Sequence, residues 1–166
     1  KLVAGSTWPE DERILFAALR RLPQLRLMVA PHELTTPHVE AVAAQAPTPL
    51  ARWSSDTPNS ETRTLLVDRM GHLSRLYKYA DITYVGGGFG SGIHNTLEPA
   101  AWGKPVIFGP HHARFAEALG LIEAGAGFSV KNVEELHCLL QRLVGDPEAL
   151  ERACRAARAQ GCGEPA

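Results

Sequence analysis

Residues 84–99 read YVGGGFGSGIHNTLEP, and this stretch decides the fold. Its first residues, Tyr84 and Val85, favour a buried strand. Five glycines follow within seven residues, and Pro99 is tolerated only in the first turn of a helix. We therefore predict a strand, a glycine-rich turn and a helix that begins between His94 and Thr96. A ligand can approach such a turn closely and meets the positive end of a helix, which predicts a phosphate or carboxylate site.

Two common phosphate-binding loops are excluded by counting. The dinucleotide fingerprint needs glycines at i, i+2 and i+5, and the third position falls here on Ser91 or Ile93. The P-loop needs a Ser or Thr after Gly-Lys, but Lys104 is followed by Pro105. The loop is therefore a nucleotide-type loop of another kind. A flexible connection without a ligand stays open as the alternative.

Composition limits the class of protein. The chain has 166 residues, 45% hydrophobic and 21% charged, which is ordinary for a single globular domain over residues 1–166. A net charge of −1 argues against general nucleic-acid affinity. We find no apolar run of roughly twenty residues and no signal peptide, and so expect a soluble chain. The chain opens in an apolar run without an initiator methionine, which suggests a fragment of a longer protein.

The cysteines are three in number and lack the spacing of metal ligands, so we expect reduced thiols at Cys138, Cys154 and Cys162.

Strand-like and helix-like segments alternate along the chain. Short apolar runs predict strands near residues 2–4, 25–30, 50–53, 64–67, 82–85, 105–108 and 127–130, with helical patterns between and after them. This alternation predicts an α/β fold, a Rossmann-like parallel sheet with helices on both faces. The first helix is expected to begin at a capping box formed by Thr7 and Glu10.

Ligands of such sheets lie beyond the carboxyl ends of the strands. Polar or glycine-rich segments follow several predicted strands: Ser6, His32, Met70–Gly71, the glycine-rich turn and His111–His112. Because these strand ends share one edge of the sheet, the segments converge there. This convergence predicts a site for a nucleotide or a related anion.

Five motifs stand in order along the chain: AGST (4–7), YKYADI leading to VGG (77–87), HNTLEPAA (94–101), GKPV (103–106) and FGP (108–110). Together they resemble the motifs of the 3-deoxy-D-manno-octulosonic acid (Kdo) transferases, from about residue 3 to 130. The resemblance implies one Rossmann-like half of a two-domain GT-B glycosyltransferase. Such an enzyme moves Kdo from CMP-Kdo onto lipid A precursors at the cytoplasmic face of the bacterial inner membrane.

The resemblance also implies that the chain is the C-terminal, donor-binding half. The N-terminal half, which carries the catalytic carboxylate, the acceptor site and a membrane anchor in the family, is then absent. We expect no catalytic residue in this chain, no metal, and no cofactor besides CMP-Kdo as donor substrate. The expected partners are that donor, the missing domain and, through that domain, the lipid A precursor.

Glu98 and Asn95 are the first candidates for donor binding. The resemblance implies that Glu98 accepts hydrogen bonds from the ribose hydroxyls, a role that suits an ionised carboxylate. It implies that Asn95 contacts the donor. The alternative is a capping box, since the two residues have its spacing, and Asn95 is also a candidate N-cap.

Other candidates would hold an anion. Gly90 and Gly92 leave backbone N–H groups accessible to the donor's phosphate or carboxylate, or else serve turn geometry alone. His94 can direct its ring to the anion or be a neutral surface histidine. The hydroxyl of Ser6 and the neighbouring N–H groups form another candidate anion contact.

Three further candidates are less direct. His32 stands where many Kdo transferases carry an arginine, and histidine gives a weaker, pH-dependent anion contact. Met70 and Gly71 are candidates for the edge of the cytosine pocket or for packing at a helix start. A zinc site at His111 and His112 lacks nearby ligands at suitable spacing.

Two other functions compete with this interpretation. One is a UDP-sugar-dependent GT-B transferase or epimerase, although a diphosphate usually needs more positive charge than this loop offers. The other is a non-catalytic nucleotide-binding module.

Overall fold

The structure is a computed structural model that describes residues 1–161. Cys162, one of the predicted reduced thiols, lies outside the described residues. The other two cysteines are free thiols; Cys138 is exposed and Cys154 is half-buried.

Seven parallel strands form one sheet in the order β3-β4-β2-β1-β5-β6-β7. The central strand β1 pairs Leu2 with Leu27 of β2 on one side and with Ile82 of β5 on the other. The strands are β1 (Leu2–Thr7), β2 (Leu27–Pro31), β3 (Leu50–Arg52), β4 (Thr64–Leu66), β5 (Ile82–Val85), β6 (Val106–Phe108) and β7 (Gly127–Ser129).

Seven α-helices and one 3₁₀ turn (Tyr77–Tyr79) connect and cover the strands within the described residues. The α-helices are α1 (Pro9–Arg20), α2 (Thr36–Gln45), α3 (Leu73–Leu76), α4 (Leu97–Ala101), α5 (Ala116–Ala124), α6 (Val133–Gly145) and α7 (Pro147–Gly161).

The two faces of the sheet bury different helices, as alternation along a strand requires. In β1, Leu2 and Ala4 pack in a core with α1, α2 and α6, whereas Val3 faces α3. In β6, Ile107 joins the first core and Phe108 joins a second with α4, α5 and α7. The predicted α/β fold, with a parallel sheet and helices on both faces, is therefore confirmed.

Two predicted helix starts are wrong. Helix α4 begins at Leu97 rather than between His94 and Thr96, because the preceding residues complete the glycine-rich turn. The predicted pair of Thr7 and Glu10 does not cap α1: Trp8 is the N-cap, its indole cannot accept a hydrogen bond, and the one capping bond runs from Trp8 N–H to the Asp11 carboxylate at 2.9 Å. The hydroxyl of Thr7 donates instead to Glu12 at 2.9 Å.

The boundaries of strand β2 differ slightly from the prediction. Strand β2 begins two residues later than expected, at Leu27 rather than at Leu25, and continues through Pro31.

Among the described residues, no helix combines the length and the apolar character that a membrane crossing requires.

Candidate functional site

The glycine-rich turn passes so close to its neighbours that side chains are excluded. A Cβ on Gly86 would lie 2.2 Å from the carbonyl oxygen of Ser6, and one on Gly88 would lie 2.5 Å from the backbone nitrogen of Gly109. Gly87 and Gly92 have φ angles of +97° and +135°, which favour glycine. The turn after β5 is therefore wedged between the segments that follow β1 and β6.

The turn is closed by its own hydrogen bonds. The N–H groups of Gly90 and Gly92 both donate to the carbonyl of Gly87 at 3.1 Å, and His94 N–H donates to Gly86 at 3.1 Å. The two glycine N–H groups predicted to bind an anion are thus engaged within the turn. The N–H groups of residues 88, 89, 91 and 93 have no acceptor in the described chain.

Asp11 on α1 anchors the turn by a hydrogen bond, a role that no local sequence pattern indicates. The side chain is fully buried. Its carboxylate accepts from Gly87 N–H at 3.0 Å and from the Tyr84 hydroxyl at 2.6 Å, besides the capping bond from Trp8. Burial raises the pKa of Asp11, although these donors oppose the shift.

Three rings from three segments stack above the carboxyl edge of the sheet. His32 stacks on both Trp8 and His94, with centroid distances of 4.6 and 4.4 Å. Trp8 Nε1–H also donates to His94 Nε2 at 3.1 Å. Burial lowers the pKa of His94, and nearby His32 lowers it further. The structure thus brings two predicted site residues together and adds Trp8, which only the fold reveals.

Ser6 lies at the end of β1 in a left-handed conformation, with a φ angle of +53°. Its carbonyl oxygen would lie 2.2 Å from a Cβ on Gly86, so the end of β1 packs against the turn through its backbone, and the anion contact predicted for the Ser6 hydroxyl stays a prediction. A serine with positive φ is uncommon, and such conformations cluster at functional sites.

Asn95 and Glu98 lie at the start of α4, after the glycine-rich turn. Asn95 Oδ1 accepts from Leu97 N–H at 2.9 Å, while Thr96 occupies the N-cap position of α4. The alternative of a capping box between Asn95 and Glu98 is not formed, because Glu98 is exposed and forms no hydrogen bond with the described residues. Burial raises the pKa of the Tyr77 hydroxyl, and the nearby Glu98 carboxylate raises it further.

Met70 and Gly71 lie apart from this cluster. Met70 is 76% exposed. Gly71 has a φ angle of +87° and nothing within 4 Å of a Cβ placed on it. Neither residue is hydrogen-bonded to the glycine-rich turn within the described chain. The structure places them on the loop after β4, beyond the same edge of the sheet.

His111 and Arg114 secure the outer side of the turn. The ring nitrogen Nδ1 of His111 bonds to the carbonyl of Gly90 at 2.7 Å, and Arg114 donates to the carbonyl of Ser91. His112 instead packs its ring against Phe108. Across residues 1–161, no group of three or more His, Cys, Asp or Glu side chains is placed to hold a metal ion.

Two clefts flank the turn. One, of about 450 Å³, is lined by Trp8, Pro9, Glu10, Asp11, Gly87, Phe89, Gly90 and Ser91. The other, of about 420 Å³, is lined by Ile93, His94, Asn95, Thr96, Leu97, Phe115 and Glu117. Both volumes suit a small ligand. Backbone N–H groups without an acceptor and aromatic rings thus border two clefts at one edge of the sheet.

No protein-family model matches the chain. The chain is 32% identical over 167 residues to 3-deoxy-D-manno-octulosonic acid transferase of Aquifex aeolicus, an alignment that covers 97% of this chain and 46% of that protein. The chain is a homologue of the Kdo transferases. It spans about half the length of this relative.

Solved structures show the same fold. The C-terminal CMP-Kdo binding domain of WaaA from Acinetobacter baumannii superposes with a TM-score of 0.83 at 24% identity, covering 96% of this chain and 87% of that chain. A putative UDP-N-acetylglucosamine 2-epimerase from Listeria monocytogenes gives 0.66 at 18% identity, covering 98% of this chain and 40% of that chain. The GT-B Rossmann-like fold predicted for this Kdo transferase homologue is confirmed.

The sequence carries only weak signals for the roles of Asp11, Glu12 and Trp8. Asp11 and Glu12 are acidic residues in the first turn of α1, where exposed acids are common. The position of Trp8 beside Pro9 indicates only the start of a helix. The spacing of 76 residues between Asp11 and its partner Gly87 leaves no local pattern that would connect them.

Proposed function

We propose that this domain binds the donor nucleotide of a glycosyltransferase, and that the donor is CMP-Kdo. The observation that carries the proposal is the 32% identity to a Kdo transferase over 97% of the chain. The clefts beside the glycine-rich turn support it, because they lie where sheets of this kind bind nucleotides. The full protein would transfer Kdo to a lipid A precursor in lipopolysaccharide biosynthesis, at the cytoplasmic face of the inner membrane.

The free groups of the site suit the parts of such a donor. Glu98 has both carboxylate oxygens available for the ribose hydroxyls, and the Asn95 amide nitrogen is free to donate. Backbone N–H groups of Gly88 and Phe89 have no acceptor in the described chain and suit the phosphate. Ser6 and His32 border the same edge of the sheet.

This chain would contribute binding and leaving-group stabilisation. N–H groups directed at the phosphate would offset the charge that develops on CMP as the bond to Kdo breaks. The general base that activates the acceptor, the acceptor site and the membrane anchor would belong to the remainder of the protein. We therefore expect little or no transferase activity from this chain alone.

A nucleotide titration tests the proposal. CMP, UMP and AMP are added in turn to the isotope-labelled chain, and the backbone amides of residues 86–92 are followed by NMR. We expect CMP to shift these amides at lower concentration than UMP or AMP. Glu98→Ala should weaken the CMP response about tenfold, because a charge-assisted pair of hydrogen bonds to the ribose is lost.

Glu123→Ala is the matched control, since Glu123 is also an exposed helical glutamate but lies at the end of α5. It should leave the titration unchanged. A preference for UMP would favour a UDP-sugar enzyme instead. No response to any nucleotide at millimolar concentration would contradict donor binding by this chain.

A further inference from the structure

The hydrogen bond between Trp8 and His94 determines which nitrogen of the histidine carries a proton. An indole N–H is a donor and cannot accept, so His94 Nε2, 3.1 Å away, must be the acceptor. In a neutral imidazole the other nitrogen is then protonated. His94 is therefore held with its proton on Nδ1.

The Nδ1 edge of this ring is available to a ligand. The opposite edge lies against the turn, since a Cβ on Gly87 would be 3.1 Å from His94 Cδ2. Nδ1 forms no hydrogen bond within residues 1–161. In this part of the chain, the side-chain polar atom that is both enclosed and without a partner is Arg63 Nε, so His94 Nδ1 is not enclosed. His94 Nδ1 is therefore unpaired but open to solvent, on a ring that lines the cleft of about 420 Å³.

The surroundings of the ring favour its neutral form. Partial burial lowers the pKa of His94, the neighbouring His32 lowers it further, and the Asp11 carboxylate opposes both effects. Glu117 lines the same cleft from α5. Protonation of Nε2 would also place two donors against each other at the Trp8 contact. The ring is thus a neutral donor rather than a cation near pH 7.

We propose that Trp8 is a positioning residue that holds His94 as its Nδ1–H tautomer, and that this N–H donates to the phosphate of the bound nucleotide. The identity of the ligand rests on the proposed function above. The tautomer itself does not, because it follows from a contact within the chain. The two parts of the inference are therefore tested by separate measurements.

The first measurement determines the tautomer. Long-range ¹H–¹⁵N correlation spectra of the 166-residue chain report which ring nitrogen of His94 is protonated, without any ligand. We expect a protonated Nδ1 at pH 7 in the wild type, and a shift towards protonated Nε2 in Trp8→Phe, which keeps a ring but loses the donor. The pKa of His94 should also rise in Trp8→Phe, since the neutral form loses a hydrogen bond.

Trp102→Phe is the matched control. Trp102 also donates its indole N–H, to the carbonyl of Ser74 at 2.8 Å, and it is exposed. This substitution should leave the His94 spectrum unchanged. A wild-type proton on Nε2, or an unaltered tautomer in Trp8→Phe, would overturn the positioning role.

The second measurement compares affinities for CMP and cytidine. Trp8→Phe should weaken CMP binding about threefold to tenfold relative to Trp102→Phe, the size expected for one hydrogen bond, and should leave cytidine binding unchanged. His94→Asn, whose amide can replace the Nδ1–H donor, should bind CMP more tightly than His94→Ala. Equal CMP affinity of Trp8→Phe and Trp102→Phe would overturn the phosphate contact.

The outcomes separate this inference from the proposed function. A wild-type chain that fails to bind CMP would contradict both donor binding and the phosphate contact. The tautomer spectra would still decide whether Trp8 positions His94.

Discussion

Asp11 and Glu12 are adjacent on α1, yet they serve different regions of the molecule. Asp11 faces the glycine-rich turn and accepts only from neutral donors: two backbone N–H groups and the Tyr84 hydroxyl. Glu12 faces α2 and accepts from His38 at 2.8 and 2.9 Å and from the Thr7 hydroxyl at 2.9 Å. Both carboxylates are buried, and burial raises the pKa of each.

Asp11 supports the candidate site, whereas Glu12 supports the packing of the surrounding fold. Through Asp11, α1 holds the conformation of the turn whose free N–H groups form the candidate anion site. Through Glu12, the same helix holds α2 against the sheet, away from the ligand. Loss of the hydrogen bonds of either carboxylate should therefore destabilise the fold, but only loss of those of Asp11 should alter the glycine-rich turn.

The largest expected effect comes from Asp11→Ala. It leaves the Tyr84 hydroxyl and the N–H of Gly87 without an acceptor, and we expect a loss of about 3 kcal/mol in the free energy of unfolding, measured with urea. The amides of residues 86–92 should shift as well. Glu10→Ala, which removes an exposed neighbour paired with Arg13, should leave the urea midpoint close to that of the wild type. An unchanged turn in Asp11→Ala would contradict the anchoring role.

The next effect is expected from His38→Ala. Removal of the ring leaves the buried Glu12 carboxylate with the Thr7 hydroxyl as its remaining partner, and should cost about 2 kcal/mol of unfolding free energy. The amides of the glycine-rich turn should keep their chemical shifts. His137→Ala serves as control, because His137 is half-buried on α6 and its ring has no hydrogen bond in the described chain. If the turn amides of His38→Ala shifted as much as those of Asp11→Ala, the distinction between the two regions would be contradicted.

The smallest effect is a pH dependence. Since the pKa of Asp11 is raised in the folded chain, the folded state binds this proton more tightly than the unfolded state. The stability from protonation is then fully present below the ordinary carboxyl pKa of about 4 and is lost as pH rises through the raised pKa. The urea midpoint of the wild type should therefore fall relative to that of Asp11→Asn, whose amide does not titrate, as pH increases.

A midpoint difference that moves in the opposite direction would mean that the three donors outweigh desolvation at Asp11. The same comparison with Glu12→Gln would then show whether neutral donors and a histidine partner act differently on a buried carboxylate.

Much of the fold was predictable because its signals are local. Apolar runs separated by amphipathic segments gave the alternation of strands and helices, and the glycine-rich turn after Tyr84 and Val85 marked the carboxyl edge. The start of α4 was missed because Asn95 and Thr96 both favour caps, and residues 84–99 do not show where the turn ends. At the start of α1, Pro9 occupies the predicted place, but the choice between Glu10 and Asp11 as capping partner depends on which one the fold buries.

The candidate site was predictable as a set of segments but not as a set of contacts. Ser6, His32 and the turn were expected at one edge, since parallel strands deliver their ends together. The bonds of Gly90 and Gly92 within the turn could not be foreseen, because they depend on the path that Gly87 and Gly92 take at positive φ.

The sequence by itself determined the class of fold, the edge of the sheet where a ligand would lie and the resemblance to the Kdo transferases, since each depends on the order of residues along the chain. Tertiary structure alone decided the burial of Asp11 beneath the turn and the pairing of Trp8 with His94, which are 86 positions apart. A hydrogen bond or a stacked ring depends on distances of a few ångströms, and only the packing of α1 and the strands brings these groups within that range.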